Sequence, residues 1–303
     1  VETSAVIESI DVSSIYKVPL LMQKEKLDKI VLKKLELNIN TEAELTKWKE
    51  FVCGLENSDQ EISIGLVGKY VELKDAYKSI SEAIMHAGVK NSCKVNIKWI
   101  HAEKITINNV SKKLSKLKGV IVAPGFGDRG IEGKISAIKY IREHNIPFLG
   151  ICLGMQSAVI EYARNVLKLK NANSTEMDPK TSAPVIDLMH GQKEIIDKGG
   201  TMRLGAYECV LKEESKAFTA YKQNNISERH RHRFEFNNKY INDFKNAGLI
   251  ATGINKKKKL VEVIEIPSHP WFVGVQFHPE FKSTVDNPHP LFCAFIQACL
   301  KKK

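Results

Sequence analysis

Apolar residues follow two rhythms along this chain. From about residue 61, short unbroken apolar runs alternate with stretches in which apolar positions recur every three or four residues. The runs predict strands over residues 62–67, 94–100, 117–123 and 148–151. The periodic stretches predict helices over 73–86, 131–143 and 153–166. Pro147 stops the helix before it and leads into the run that follows. Strands alternating with helices imply an α/β fold, a parallel sheet with helices on both faces. Ligands of such sheets sit beyond the carboxyl ends of the strands.

Elsewhere the pattern differs. Residues 171–200 are loop-rich. Residues 202–204, 207–211, 249–254, 260–266 and 271–277 read as β-like pieces, and 290–300 as a closing helix. Before residue 59 strand signals are few. Residues 15–21 read as a short extended piece, and 24–37 and 42–55 as charged amphipathic helices, too little for a core alone. The division predicted is 1–58, a linker or the tail of a missing domain, and 59–303, the α/β domain.

Composition narrows the class. The chain has 303 residues, 43% of them hydrophobic, enough for a sizeable core. Its net charge of +11 comes mostly from Lys, with runs at 256–259 and 301–303. No aromatic-interleaved basic stripe accompanies them, so they read as solvated surface rather than a nucleic-acid site. No apolar run is long enough for a membrane span. The start shows no signal-peptide pattern, and Val1 in place of Met suggests a processed or truncated chain. The six cysteines form no C-x-x-C pair and no cluster with His at metal spacing. A reduced, cytoplasmic protein without a metal site is expected.

Candidate chemistry centres on Gly150-Ile-Cys152-Leu-Gly154, where a predicted strand turns into a predicted helix. Cys152 occupies the corner of a nucleophile elbow in sulfur form. Flanking glycines permit the tight bend, and the helix N-terminus favours thiolate. The plain alternative is a buried structural Cys. A thiol nucleophile needs a base, an orienting group and oxyanion donors. His278-Pro-Glu280, at the end of the last strand, offers the first two on one face, although the same tripeptide suits a surface turn. Leu153 N–H and Gly125 N–H, the latter in Pro124-Gly-Phe-Gly127 at a neighbouring strand end, are the candidate donors. That Gly-rich turn lacks the Lys-Ser/Thr of a phosphate loop. In Glu228-Arg-His-Arg-His-Arg233, an extended chain puts the arginines on one face and the histidines on the other, as an anion clamp or as a solvated basic strand.

Together these stretches closely resemble the glutamine amidotransferase domain of the CTP synthases, class I, triad-type glutaminases. The motifs are Gly68 to Tyr77, Gly125 to Lys134, Gly150 to Gln156, Ala172 to Glu176, Gly199 to Gly205, Glu228 to Phe234 and Gln276 to Phe281. The likeness runs from about residue 60 to the C-terminus, and weakly through Asp11 to Pro19, which looks like the tail of that family's synthase domain.

The resemblance implies a class I amidotransferase (flavodoxin-like) fold, a mostly parallel central sheet flanked by helices with a small extra antiparallel sheet. It implies Cys152 as nucleophile, His278 as acid/base and Glu280 as its orienter. Gly125, Leu153, Gly154, Met155, Gln156, Glu176 and Arg233 would bind L-glutamine, Glu176 suiting the substrate ammonium and Arg233 its carboxylate. It further implies a synthase domain, absent here, using ATP, Mg2+ and UTP, with GTP as activator. The intact family is homotetrameric, and the isolated domain is expected to be monomeric. One departure stands out: Ala123-Pro124-Gly125 replaces the usual Pro-Gly-Gly, which removes a donor and biases Ala123 toward extended backbone. The other readings are a regulatory or assembly module with a silent site, and a different γ-glutamyl hydrolase.

Overall fold

The computed structural model describes residues 1–38, 41–58, 60–188 and 202–302. It divides into two compact units, Val1–Asp59 and Gln60–Lys303. The first carries α1 (Val18–Lys24), α2 (Leu27–Lys34) and α3 (Thr46–Glu56). Residues 15–21 are helical rather than extended. Ser14 caps Tyr16 N–H at the start of a 3-10 turn over Ile15–Lys17, and Pro19 sits in the first turn of α1, where no amide donor is needed. Tyr16 packs against Phe51, ring centres 4.9 Å apart, and its carbonyl accepts from the Trp48 indole at 2.6 Å.

The second unit opens with β1 (Gln60–Gly68), α4 (Lys78–Lys90), β2 (Cys93–His101), α5 (Val110–Leu114), β3 (Gly119–Val122), α6 (Ile131–Glu143), β4 (Phe148–Ile151) and α7 (Leu153–Asn165). β5 (Ala172–Ser174), β6 (Ala183–Leu188), β7 (Arg203–Leu211), α8 (Lys216–Tyr221), β8 (Asn225–His232), β9 (Phe234–Phe236) and α9 (Ile241–Ala247) follow. β10 (Ile250–Asn255), β11 (Leu260–Glu265), β12 (Phe272–Val275) and α10 (Pro290–Lys301) close the chain.

The large sheet runs β2-β1-β3-β4-β12-β11-β10-β7-β8. Its first five strands are parallel, in the 2-1-3-4-5 order of flavodoxin-like folds. From β12 outward every pairing is antiparallel. The sheet is therefore mixed rather than mostly parallel. The turn between β10 and β11 is too short for a crossover, which forces an antiparallel pair. The small sheet, β5-β6-β9, is mixed too: β5 and β6 are parallel, β6 and β9 antiparallel. Residues 199–201 of the Gly199 to Gly205 motif lie outside the described residues, and its last part enters β7.

Period-2 alternation gives each parallel strand two cores. Val120, Val122 and Phe148 face one buried cluster with Ile138 of α6 and Val159 of α7. Ile121, Leu149 and Ile151 face the other, with Ile84 of α4 and Phe295 of α10. Burial on both faces explains why these strands read as unbroken apolar runs. Val67, Val122 and Gly150 are in register across β1, β3 and β4, and Gly150 pairs with Gly274 of β12. The carboxyl ends of these four strands are thereby brought together.

Candidate active site

Cys152 follows β4 directly and precedes the first residue of α7. Its backbone is forced to φ 51° and ψ −105°, a conformation few non-glycine residues adopt. Its N–H donates to Val275 O of β12 at 2.7 Å, and its carbonyl accepts Gln156 N–H at 3.1 Å to start the helix. The corner closes only because Gly154 lacks a side chain, since a Cβ there would lie 2.1 Å from Val122 O. The strain buys a thiol at a helix N-terminus, aimed beyond the sheet.

His278 and Glu280 follow β12, whose last residue pairs with Ile151. His278 Nδ1 lies 2.8 Å from Glu280 Oε1, and both side chains are buried. A carboxylate on Nδ1 fixes the ring so that Nε2 is the working nitrogen. Among the described residues, Nε2 is buried with no hydrogen-bond partner of ordinary geometry, and Cys152 is the side chain that acts on the ring most strongly. Burial depresses the imidazole pKa, but Cys152, followed by Glu280, outweighs it and raises the value to about 10. Cys152, His278, Glu280 and Gly125 line one cavity of about 350 Å3, with Tyr77, Phe126 and Arg231.

The turn 123–127 lies opposite the thiol. A Cβ on Gly125 would come 3.4 Å from Leu153 Cδ2, so the two residues flank one space. Among the described residues, neither Gly125 N–H nor Leu153 N–H donates to a protein acceptor. Two unpaired donors beside a nucleophile are what an oxyanion hole requires. The rest of the turn is pinned. Lys134 Nζ, wholly buried on α6, donates to Ala123 O at 2.7 Å. Lys69 Nζ, at the end of β1, donates to Phe126 O and, at 2.9 Å, to Gly127 O. Glu176 Oε1, after β5, accepts Gly127 N–H at 2.8 Å. Burial lowers the pKa of both lysines, that of Lys134 to about 7.

A second cavity, about 20 Å3, is lined by Cys152, Gly125, Gln156, Glu176, Arg233 and His232 among others. It unites the expected ammonium and carboxylate partners with the thiol, and its volume holds about one water molecule. The Arg/His run alternates as expected, histidines buried and Arg229 and Arg231 exposed. Arg233 faces the small cavity and Arg231 the large one, its guanidinium 5.5 Å from the Phe126 ring. Leu153, Gly154 and Met155 line neither cavity, and the Leu153 and Met155 side chains are buried in the core. Sequence reasoning missed Lys69 and Lys134, although Lys134 falls on the apolar stripe of α6, with Ile131, Ile135 and Ile138.

Residues 72–298 match the family model for glutamine amidotransferase class-I. CTP synthases are similar at 58% identity over 298 residues in Cytophaga hutchinsonii and 57% over 298 in Christiangramia forsetii, each match covering 98% of this chain and 55% of the relative. The chain thus spans about half the length of the curated relatives it matches. The solved glutaminase domain of Trypanosoma brucei CTPS, with bound acivicin, is similar at 35% identity and a TM-score of 0.75, covering 80% of this chain and 95% of that one. This chain belongs to the class I glutamine amidotransferase family, as a glutaminase domain of the CTP synthase type.

Proposed function

We propose that the chain hydrolyses L-glutamine to glutamate and ammonia through a thioester on Cys152. Cys152 Sγ attacks the side-chain amide carbon, and the oxyanion is held by Gly125 N–H and Leu153 N–H. His278 Nε2–H protonates the departing ammonia. A water, deprotonated by the now neutral His278, then attacks the thioester and releases glutamate and the thiolate. Glu176 and Arg233 hold the substrate ammonium and carboxylate from the small cavity. The carrying observation is one cavity that joins a strained thiol, a carboxylate-held imidazole and the Gly125 turn, whose N–H meets no protein acceptor among the described residues. In the full-length protein the ammonia would pass to a synthase domain that aminates UTP to CTP with ATP and Mg2+, under activation by GTP. Cys152→Ala is expected to abolish ammonia release from glutamine. Residual release by the pure variant would sink the nucleophile assignment.

The 20 Å3 cavity favours a second reading, in which the site rests closed and silent until another part of the full-length protein opens it. Acivicin, bound in the Trypanosoma brucei relative, separates the two. Covalent labelling of Cys152 in the isolated chain supports an open site. Absence of labelling, while small alkylating reagents still reach the thiol, supports the closed one.

A further inference from the structure

Gln276 has no part in the reading above. It lies between β12 and His278, fully buried, with Nε2 3.7 Å from Cys152 Sγ. The two ends of an amide are told apart only by their partners. Phe234 C=O can only accept, so Gln156 presents Nε2 to it, at 2.9 Å. The same NH2 group faces Gln276 at 3.1 Å, so Gln276 presents Oε1 there. Its own NH2 end is thereby left facing the sulfur.

A second path fixes the same carbonyl. His232 Nδ1 lies 3.2 Å from Phe234 O, so that nitrogen carries the proton. His232 Nε2 then accepts from His230 Nδ1, 2.9 Å away. Burial first, then the charge of Arg203, keep both rings neutral: the pKa of His232 is pushed down to about 3 and that of His230 lower still. The direction of this ladder does not change near neutral pH.

We propose that Gln276 is a further catalytic residue, a fixed hydrogen-bond donor to Cys152 Sγ that favours the thiolate, and that Gln156 and His232 are its positioning residues. The inference rests on Cys152 being the nucleophile. A donor to the charged form stabilises it, and a buried setting strengthens the effect. The donor acts twice, by raising the thiolate fraction before attack and by stabilising the thiolate that leaves when the thioester is hydrolysed. The charged groups that line a cavity with Cys152 or act on it are His278, Glu280, Asp75, Lys78, Lys134, Glu176, Arg231 and Arg233, and among the described residues the Gln276 side chain hydrogen-bonds none of them.

The test is the pH profile of Cys152 alkylation by iodoacetamide, followed on the Cys152 peptide by mass spectrometry. Gln276→Met keeps the length and loses the donor, and Gln276→Glu puts a carboxylate against the sulfur. Near neutral pH, Gln276→Met is expected to react about tenfold more slowly, its profile displaced upward by about one pH unit, with Gln276→Glu displaced further. A folded Gln276→Met with the parent profile overturns the proposal, because packing alone would not move this readout. The parent chain gives a second measurement if the variants fail to fold. Its Gln276 side-chain NH2 resonances are expected to shift when Cys152 is capped by methanethiosulfonate, and unmoved resonances overturn the proposal. Loss of glutaminase in Cys152→Ala alongside a parent-like Gln276→Met profile refutes only this inference; retained glutaminase in Cys152→Ala refutes the nucleophile reading beneath it.

Discussion

Replacing Lys134 with Met separates stability from function at this site. The Lys134 ammonium is wholly enclosed, with Ala123 O at 2.7 Å. Burial first, and then the charge of Lys69, bring its pKa down to about 7, against a smaller opposing pull from Cys152. In the unfolded chain a lysine titrates near about 10.4. Between these values the unfolded chain holds a proton that the folded chain has released. The penalty on folding is therefore complete below about pH 7 and fades as pH rises to about 10.4. At about 1.36 kcal/mol per unit, it amounts to roughly 4 kcal/mol at neutral pH, against a typical total stability of about 5–15 kcal/mol.

Lys134→Met keeps the apolar stem and deletes the charge, but leaves Ala123 O without its donor, at a cost of about 1–3 kcal/mol. The variant is expected to be more stable than the parent by about 1–3 kcal/mol near neutral pH, and less stable by a similar amount above about pH 10. His278, whose pKa is raised, works in the opposite direction over much of this window in both chains, so the difference between them is the quantity to read. Urea unfolding across that range measures it. A variant less stable than its parent at every pH, with a parallel profile, would refute the penalised charge. Glutaminase activity is expected to fall even where stability rises, because the oxyanion turn loses an anchor.

Cys152→Gly is expected to gain about 1 kcal/mol in thermal unfolding, by relieving the positive φ, while losing all activity. No gain would mean that the corner is unstrained. Glu280→Gln removes the carboxylate that helps hold His278 charged, so the ring is expected to titrate well below the parent's value of about 10, with kcat down about a hundredfold. A raised pKa stabilises the fold fully below about 6.5, and the effect is lost as pH rises through about 10; the variant's deficit is therefore expected at low and neutral pH and to vanish at the alkaline end. An unchanged imidazole titration by NMR would contradict this. Glu176→Gln is expected to raise KM for glutamine about tenfold and to lower kcat as well, whereas a change in KM alone would mean that Glu176 touches only the substrate.

The elbow was readable because its chemistry is local. A strand, a bend and a helix within ten residues leave few positions for Cys152, and α6 and β4 have the bounds that their periodicity predicts. His278 and Glu280 were readable for the same reason, being two residues apart after an apolar run. Lys134 was not, because a lysine in an amphipathic helix ordinarily lies on the solvent face. Only its position on the apolar stripe marks it, and the carbonyl it meets is set by the return of the chain, not by neighbouring residues. The role of Gln276 depends on Gln156 and Phe234, 120 and 42 positions away in sequence, so no local pattern carries it. β7, β10, β11 and β12 were readable as β-like pieces, but their place in the large sheet was not, since it is set by pairings between distant segments, and β8 at its edge is rich in charge.

Pro124 sits where the turn has least support. Lys134 holds the carbonyl before it, and Lys69 holds those of Phe126 and Gly127. Between these anchors the peptide groups on either side of Gly125 engage no protein partner among the described residues. A proline ring fixes its own φ and biases the residue before it to extended backbone. The direction of Gly125 N–H is therefore governed by two torsions, ψ of Pro124 and φ of Gly125. Glu176 meets this turn from the far side: its carboxylate holds Gly127 N–H and also lines the cavity in which the substrate ammonium would sit. On the proposed assignment, an ammonium arriving at Glu176 would draw on the same carboxylate that steadies the turn, which would couple substrate binding to the shape of the proposed oxyanion hole through one side chain. That coupling is why the loss of Glu176 charge is expected in kcat as well as in KM.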